Sequence, residues 1–72
     1  MKSFVISRIV ELSNEEAGLI KFLYEEGWQW NYACDEYALK IFDSIVRKGL
    51  ASEDSDGRVM LNGDGRQIAQ QI

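Results

Sequence analysis

The 72-residue chain has no histidine, a single cysteine at position 34, and fewer basic than acidic residues, eight against twelve. Without histidine it lacks the commonest general base near neutral pH and the commonest nitrogen ligand for metals. One cysteine excludes an intramolecular disulfide, and a secreted domain of this size ordinarily carries several, so a cytoplasmic location is expected. Cys34 stands beside Asp35 and Glu36, whose charges raise a thiol pKa, and no histidine can activate it. A buried or capping thiol is expected there rather than a nucleophile. A catalytic carboxylate pair stays open on residue types alone, but so small a domain offers no obvious cleft for a substrate. No run approaches the roughly 18 apolar residues of a membrane span. The start, Met1 to Ile6, reaches Arg8 before an apolar run could form a signal-peptide core. The expectation is a non-enzymatic domain with no cofactor, no metal and no membrane partner.

The net charge of −4 and the isoelectric point near 4.6 have the wrong sign for a general phosphate-neutralising surface. Nucleic-acid binding would need a local basic patch. The hydrophobic fraction of 46% and charged fraction of 28% are those of a globular protein. A single domain over residues 1–72 is expected, and a domain this small has little apolar material to spare from its core.

Along the chain, the β-branched and aromatic run from Phe4 to Val10 predicts a strand. Ser13-Asn14-Glu15-Glu16 is a capping box: Ser13 can accept from the amide three residues on while Glu16 reaches back. A helix over 13–26 follows, with Ala17, Leu19, Ile20, Leu23 and Tyr24 on one side, Phe22 at the edge, and Gly27 placed to end it. Trp28-Gln29-Trp30-Asn31-Tyr32 alternates rings with amides, so an extended conformation would point three rings one way. Asp35 can cap a second helix running through Lys48, with Ala38, Ile41, Phe42 and Ile45 inward, Leu39 and Val46 flanking, and Gly49 at its end. Residues 50–61 read as a hairpin turning at Asp54-Ser55-Asp56-Gly57. Asn62 or Asp64 can then cap a short helix carrying Ile68, Ala69 and Ile72.

The helix ending in Arg47-Lys48-Gly49-Leu50, the strand and acidic turn after it, Asp56-Gly57-Arg58-Val59-Met60-Leu61 and the Gly65-bearing helix together resemble the second half of winged-helix regulators of the MarR and PadR kind. The likeness covers residues 36–72. It implies an α+β fold: a winged-helix-like domain with an N-terminal strand, two main helices, a β-hairpin wing and a short C-terminal helix. It also implies that residues 36–48 lie in the DNA major groove and that the hairpin contacts phosphates or the minor groove. Where that family places a further short helix, this chain has only the aromatic segment from Gly27 to Cys34, so either that helix has shrunk to a turn or the fold is an abridged relative, a kind that often serves as an interaction module.

The charge pattern leans the same way. Glu36 precedes Lys40 by four residues and Asp43 precedes Arg47 by four, the stabilising orientation for helical ion pairs, so this face reads as solvated or protein-facing. Glu53, Asp54 and Asp56 at the wing tip would repel phosphates, with only Arg58 to offset them. Asp54-x-Asp56-Gly57 lacks the further carboxylates of a calcium loop, since Ser52 and Gly63 stand at those positions, and Gly63-x-Gly65 lacks the residues of a phosphate loop.

The favoured expectation is therefore an adaptor or inhibitor that binds another protein through Trp28, Trp30, Tyr32, Tyr37, Lys40 and Arg47. As a cluster the rings read more readily as core, with at least one left for an interface. The alternative is a dimeric DNA-binding regulator using Lys40, Ser44, Arg47, Lys48 and Arg58. A nucleic-acid mimic presenting Glu53, Asp54 and Asp56 is a weaker third reading, because twelve acids are few. Aromatics left over could also be covered in a homodimer.

Overall fold

The computed structural model describes residues 1–33 and 35–72. Among these residues it is a small α+β domain of three α-helices and two small antiparallel sheets, a layout consistent with a winged helix. The expectation for Cys34 lies outside the described residues.

The predicted N-terminal strand is in fact a hairpin. Strand β1 (Lys2–Val5) turns at residues 6–8 and pairs with β2 (Ile9–Leu12), with Phe4 opposite Val10 and Lys2 opposite Leu12. The run of β-branched residues hides this turn because it holds no glycine, asparagine or proline. The amide of Ile6 donates to the Arg8 carbonyl (2.9 Å), and the Arg8 guanidinium reaches across to the Lys48 carbonyl (2.7 Å) and to Asp64 (3.6 Å). Period-two alternation then turns Phe4, Val10 and Leu12 into the core and leaves Val5 and Ile9 exposed.

Helix α1 (Asn14–Glu26) begins with both halves of the capping box formed at Ser13 and Glu16. It stops at Gly27, whose φ of 91° is costly for any residue with a Cβ. Its buried stripe is Ala17, Ile20 and Leu23; Tyr24 and Phe22 are exposed, so the apolar face is narrower than its sequence suggests. Strand β3 (Gln29–Trp30) follows, and the chain then tightens into a single 3-10 turn at Asn31–Ala33. Asp35 caps helix α2 (Glu36–Arg47) by accepting from the Ala38 amide, and Gly49 ends the turn after it at φ 76°. Phe42 and Ile45 are its fully buried residues. The hairpin of β4 (Ala51–Glu53) and β5 (Arg58–Leu61) then pairs through β5 with β3, giving the order β3-β5-β4.

Helix α3 (Gly63–Ala69), capped by Asn62, closes the core. Asn62 also donates through its side-chain amide to the Gly49 carbonyl and through its backbone amide to the Leu50 carbonyl, which locks α3 onto the end of α2. Gly65 lies so close to that junction that a Cβ would sit 2.1 Å from the Leu50 carbonyl oxygen. Leu12, Ile20, Leu23, Ile45, Leu50, Val59 and Ile68 are almost wholly buried between the helices and the inner face of the β3-β5-β4 sheet.

Two glycines should therefore respond oppositely to alanine. Gly65→Ala forces backbone apart and should cost about 3 kcal/mol or prevent folding. Gly18→Ala, on the exposed face of α1 with nothing within 4 Å of the added carbon, should stabilise by roughly 0.5–1 kcal/mol. Urea denaturation of the two variants checks both signs.

Candidate functional site

The strongest electrostatic feature lies inside the protein. Glu16 is 6% exposed, yet it is ionised and fully bonded. Lys48 Nζ approaches its two carboxylate oxygens at 2.8 and 2.9 Å, the Ser44 hydroxyl donates to it at 2.5 Å, and the Ser13 amide donates at 2.9 Å. Lys48 Nζ also donates to the Glu11 carbonyl at 2.9 Å. Burial raises the carboxyl pKa, but the bonds from Lys48, Ser13 and Ser44 and the Lys48 charge outweigh it, lowering Glu16 from its ordinary 4.5 to about 2. Ser44 and Lys48, two of the five candidate DNA contacts, thus serve to tie the end of α2 to the start of α1.

The other candidates are distributed as follows. Arg47 pairs with Asp43 at 2.8 Å, as the four-residue spacing predicts. The parallel pair of Glu36 with Lys40 does not form, and among the described residues neither makes an ion pair. Arg58 is held at the wing tip by Asp54 (2.7 Å) and Asp56 (3.4 Å). The Asp54 carboxylate also accepts from the Arg58 and Asp56 amides, and the Arg58 amide bond is the chief cause of its lowered pKa. These carboxylates are the turn's own framework.

The three rings lie outside the core, contrary to the reading of the cluster as core filling. Trp28 is 41% exposed, Tyr32 is 70% exposed and Trp30 is half-buried. Pairing of Trp30 with Arg58 in the β3-β5 register places them side by side on the sheet's outer face, while Val59, the next residue of β5, turns into the core. The indole of Trp28 meets that of Trp30 edge to face, with centroids 4.7 Å apart, and Trp30 stacks on Tyr32 at 5.2 Å and 19°. The Arg58 guanidinium lies 5.7 Å from the Trp28 ring and 5.8 Å from that of Trp30. The result is a continuous aromatic ridge, fixed by ring contacts and by cation–π attraction of about 0.5–1 kcal/mol per exposed pair. Tyr37 is exposed on α2.

Asn31 supplies the link that residue types alone did not single out. Its amide donates to the Gly57 carbonyl (2.8 Å) and its side chain to Glu53 (2.6 Å), fastening the aromatic segment to the wing. The alternation of rings with amides was the available signal, since it marks Asn31 as a polar residue set between two rings. Between α2 and this joined unit opens a groove of about 440 Å³, floored by Leu39, Phe42, Val46 and Val59 and edged by Glu36, Lys40, Asp43 and Glu53. Glu36 and Glu53 were not among the expected contacts of a protein partner.

Among the described residues no cluster of three or more cysteine, aspartate or glutamate side chains is placed to hold a metal ion, and no helix is long and apolar enough to cross a membrane. Compared with family models, curated proteins and solved structures, the chain matches none.

The Glu16 tie gives a pH prediction with a definite sign. A folded-state pKa below the ordinary value means that its contribution is complete above about pH 4.5 and is lost as pH falls towards 2. That difference corresponds to about 3 kcal/mol. Glu16→Gln should lose stability of that order at pH 7 and show a much flatter decline below pH 4.5 than the parent, as measured by urea unfolding across pH.

Proposed function

We propose that this domain is a non-catalytic, winged-helix-like adaptor or inhibitor that binds another protein through the ridge of Trp28, Trp30 and Tyr32. The observation that carries this reading is that a small domain with little apolar surface to spare leaves three contiguous large rings on the outside of its sheet. Tryptophan and tyrosine dominate binding hot spots because each covers a large area with few rotatable bonds. The ridge is already ordered by ring stacking and by Arg58, so little entropy is lost when a partner covers it.

The DNA-binding alternative draws less support. Ser44 and Lys48 are committed to Glu16, Arg47 to Asp43, and Arg58 to Asp54 and Asp56, which leaves Lys40 as the candidate without an ion pair among the described residues. Counterion release from phosphates needs several such cations acting together. The likeness to MarR and PadR regulators accordingly fits an abridged relative whose helix and wing have been turned to protein contact.

Affinity capture from a host extract, comparing the parent with Trp28→Ser/Tyr32→Ser, tests the ridge. Both side chains are exposed, so the variant should keep the parent's backbone amide spectrum while losing the captured protein. Equal capture by both would remove the ridge as the contact surface. Fluorescence titration with random duplex at low salt should show no saturable binding, whereas an affinity declining log-linearly with salt would restore the regulator.

A further inference from the structure

We propose that the groove between α2 and the wing receives a basic amphipathic segment of a protein partner, with an arginine or lysine head between Glu36 and Glu53 and its aliphatic stem on Leu39, Phe42 and Val46. This rests on the reading of the domain as a protein-binding module and adds a second contact of defined chemistry. The groove has an apolar floor and a volume of about 440 Å³, enough to take a long side chain and its neighbours.

Charge decides what kind. Three carboxylates edge the groove against the one cation, Lys40. Asp43 is neutralised by Arg47, which leaves Glu36 on α2 and Glu53 on β4 with no ion pair among the described residues. They stand on opposite walls, one contributed by each element. Glu53 is further fixed by the amide of Asn31, a neutral donor that orients its carboxylate without cancelling its charge. A net negative rim, three carboxylates to one lysine, over an apolar floor suits a side chain that is apolar along its stem and cationic at its tip, which describes arginine and lysine. The same net negative rim disfavours phosphates. Asn31 lies between groove and ridge, so one partner could cover both.

The test is a titration of the isotope-labelled protein with a short helical peptide bearing leucine and arginine one turn apart, followed by backbone amide shifts. Saturable shifts centred on Leu39, Lys40, Val46 and Glu53 are expected, with affinity falling about tenfold or more when citrulline replaces arginine. Glu36→Gln/Glu53→Gln, both at the groove edge, should weaken binding similarly while leaving the parent spectrum, and Lys40→Gln should tighten it. Equal binding of the citrulline peptide would overturn the proposal. So would shifts confined to the aromatic ridge, or occupation of the groove by duplex DNA or by a second copy of the chain as protein concentration rises. If the peptide fails while capture still depends on Trp28 and Tyr32, the groove falls and the ridge stands.

Discussion

One partly buried ion pair ties the main helices together, its carboxylate covered and its ammonium about one-third exposed. Glu16 and Lys48, together with Ser44 and Ser13, join the first turn of α1 to the last turn of α2. A buried carboxylate is tolerated only when its charge and lone pairs are met, and here the cap of one helix and the C-terminal cation of another meet them at once. Lys48 extends the tie to the Glu11 carbonyl of β2, and its own carbonyl accepts from Arg8, so the N-terminal hairpin is anchored at the same point. Asn62 and Gly65 then bring α3 onto the neighbouring Gly49-Leu50 segment. Four elements meet within a few residues of Lys48.

That junction also shapes the surface. Lys48 is engaged by Glu16, and Arg47 and Arg58 by neighbouring carboxylates, while Lys40 is exposed without an ion pair among the described residues and the rings of Trp28 and Tyr32 are left outside. On the proposed reading, both features favour contact with a protein over contact with phosphates. The short segment after α1 contributes: a two-residue strand and one 3-10 turn leave Trp28 and Tyr32 exposed.

What could be read in the sequence was what is local. The capping box at Ser13 and Glu16, the Asp35 cap, the Gly49 stop and the Asp54 to Gly57 turn depend on neighbours within four residues, and each formed as expected. The hairpin inside residues 2–12 was missed because its turn holds no residue with special backbone preferences and is held by distant partners of Arg8. Glu16 with Lys48 was invisible for the same reason, at a separation of 32 residues. The rings were misjudged because alternation says that they share a side but not which side of the sheet that is; the Trp30–Arg58 register decides it. Glu36 and Glu53 become one site only when α2 and the wing are brought face to face.

The most direct measurement is the equilibrium unfolding free energy of Trp28→Ser/Tyr32→Ser beside that of Phe42→Ala. Rings that serve a surface should cost about 2 kcal/mol for the pair, roughly their ring and cation–π contacts, against roughly 3–5 kcal/mol for the single buried Phe42. A loss at Trp28 and Tyr32 matching that of Phe42 would mean that the ridge holds the fold together, and would contradict its assignment as a binding surface.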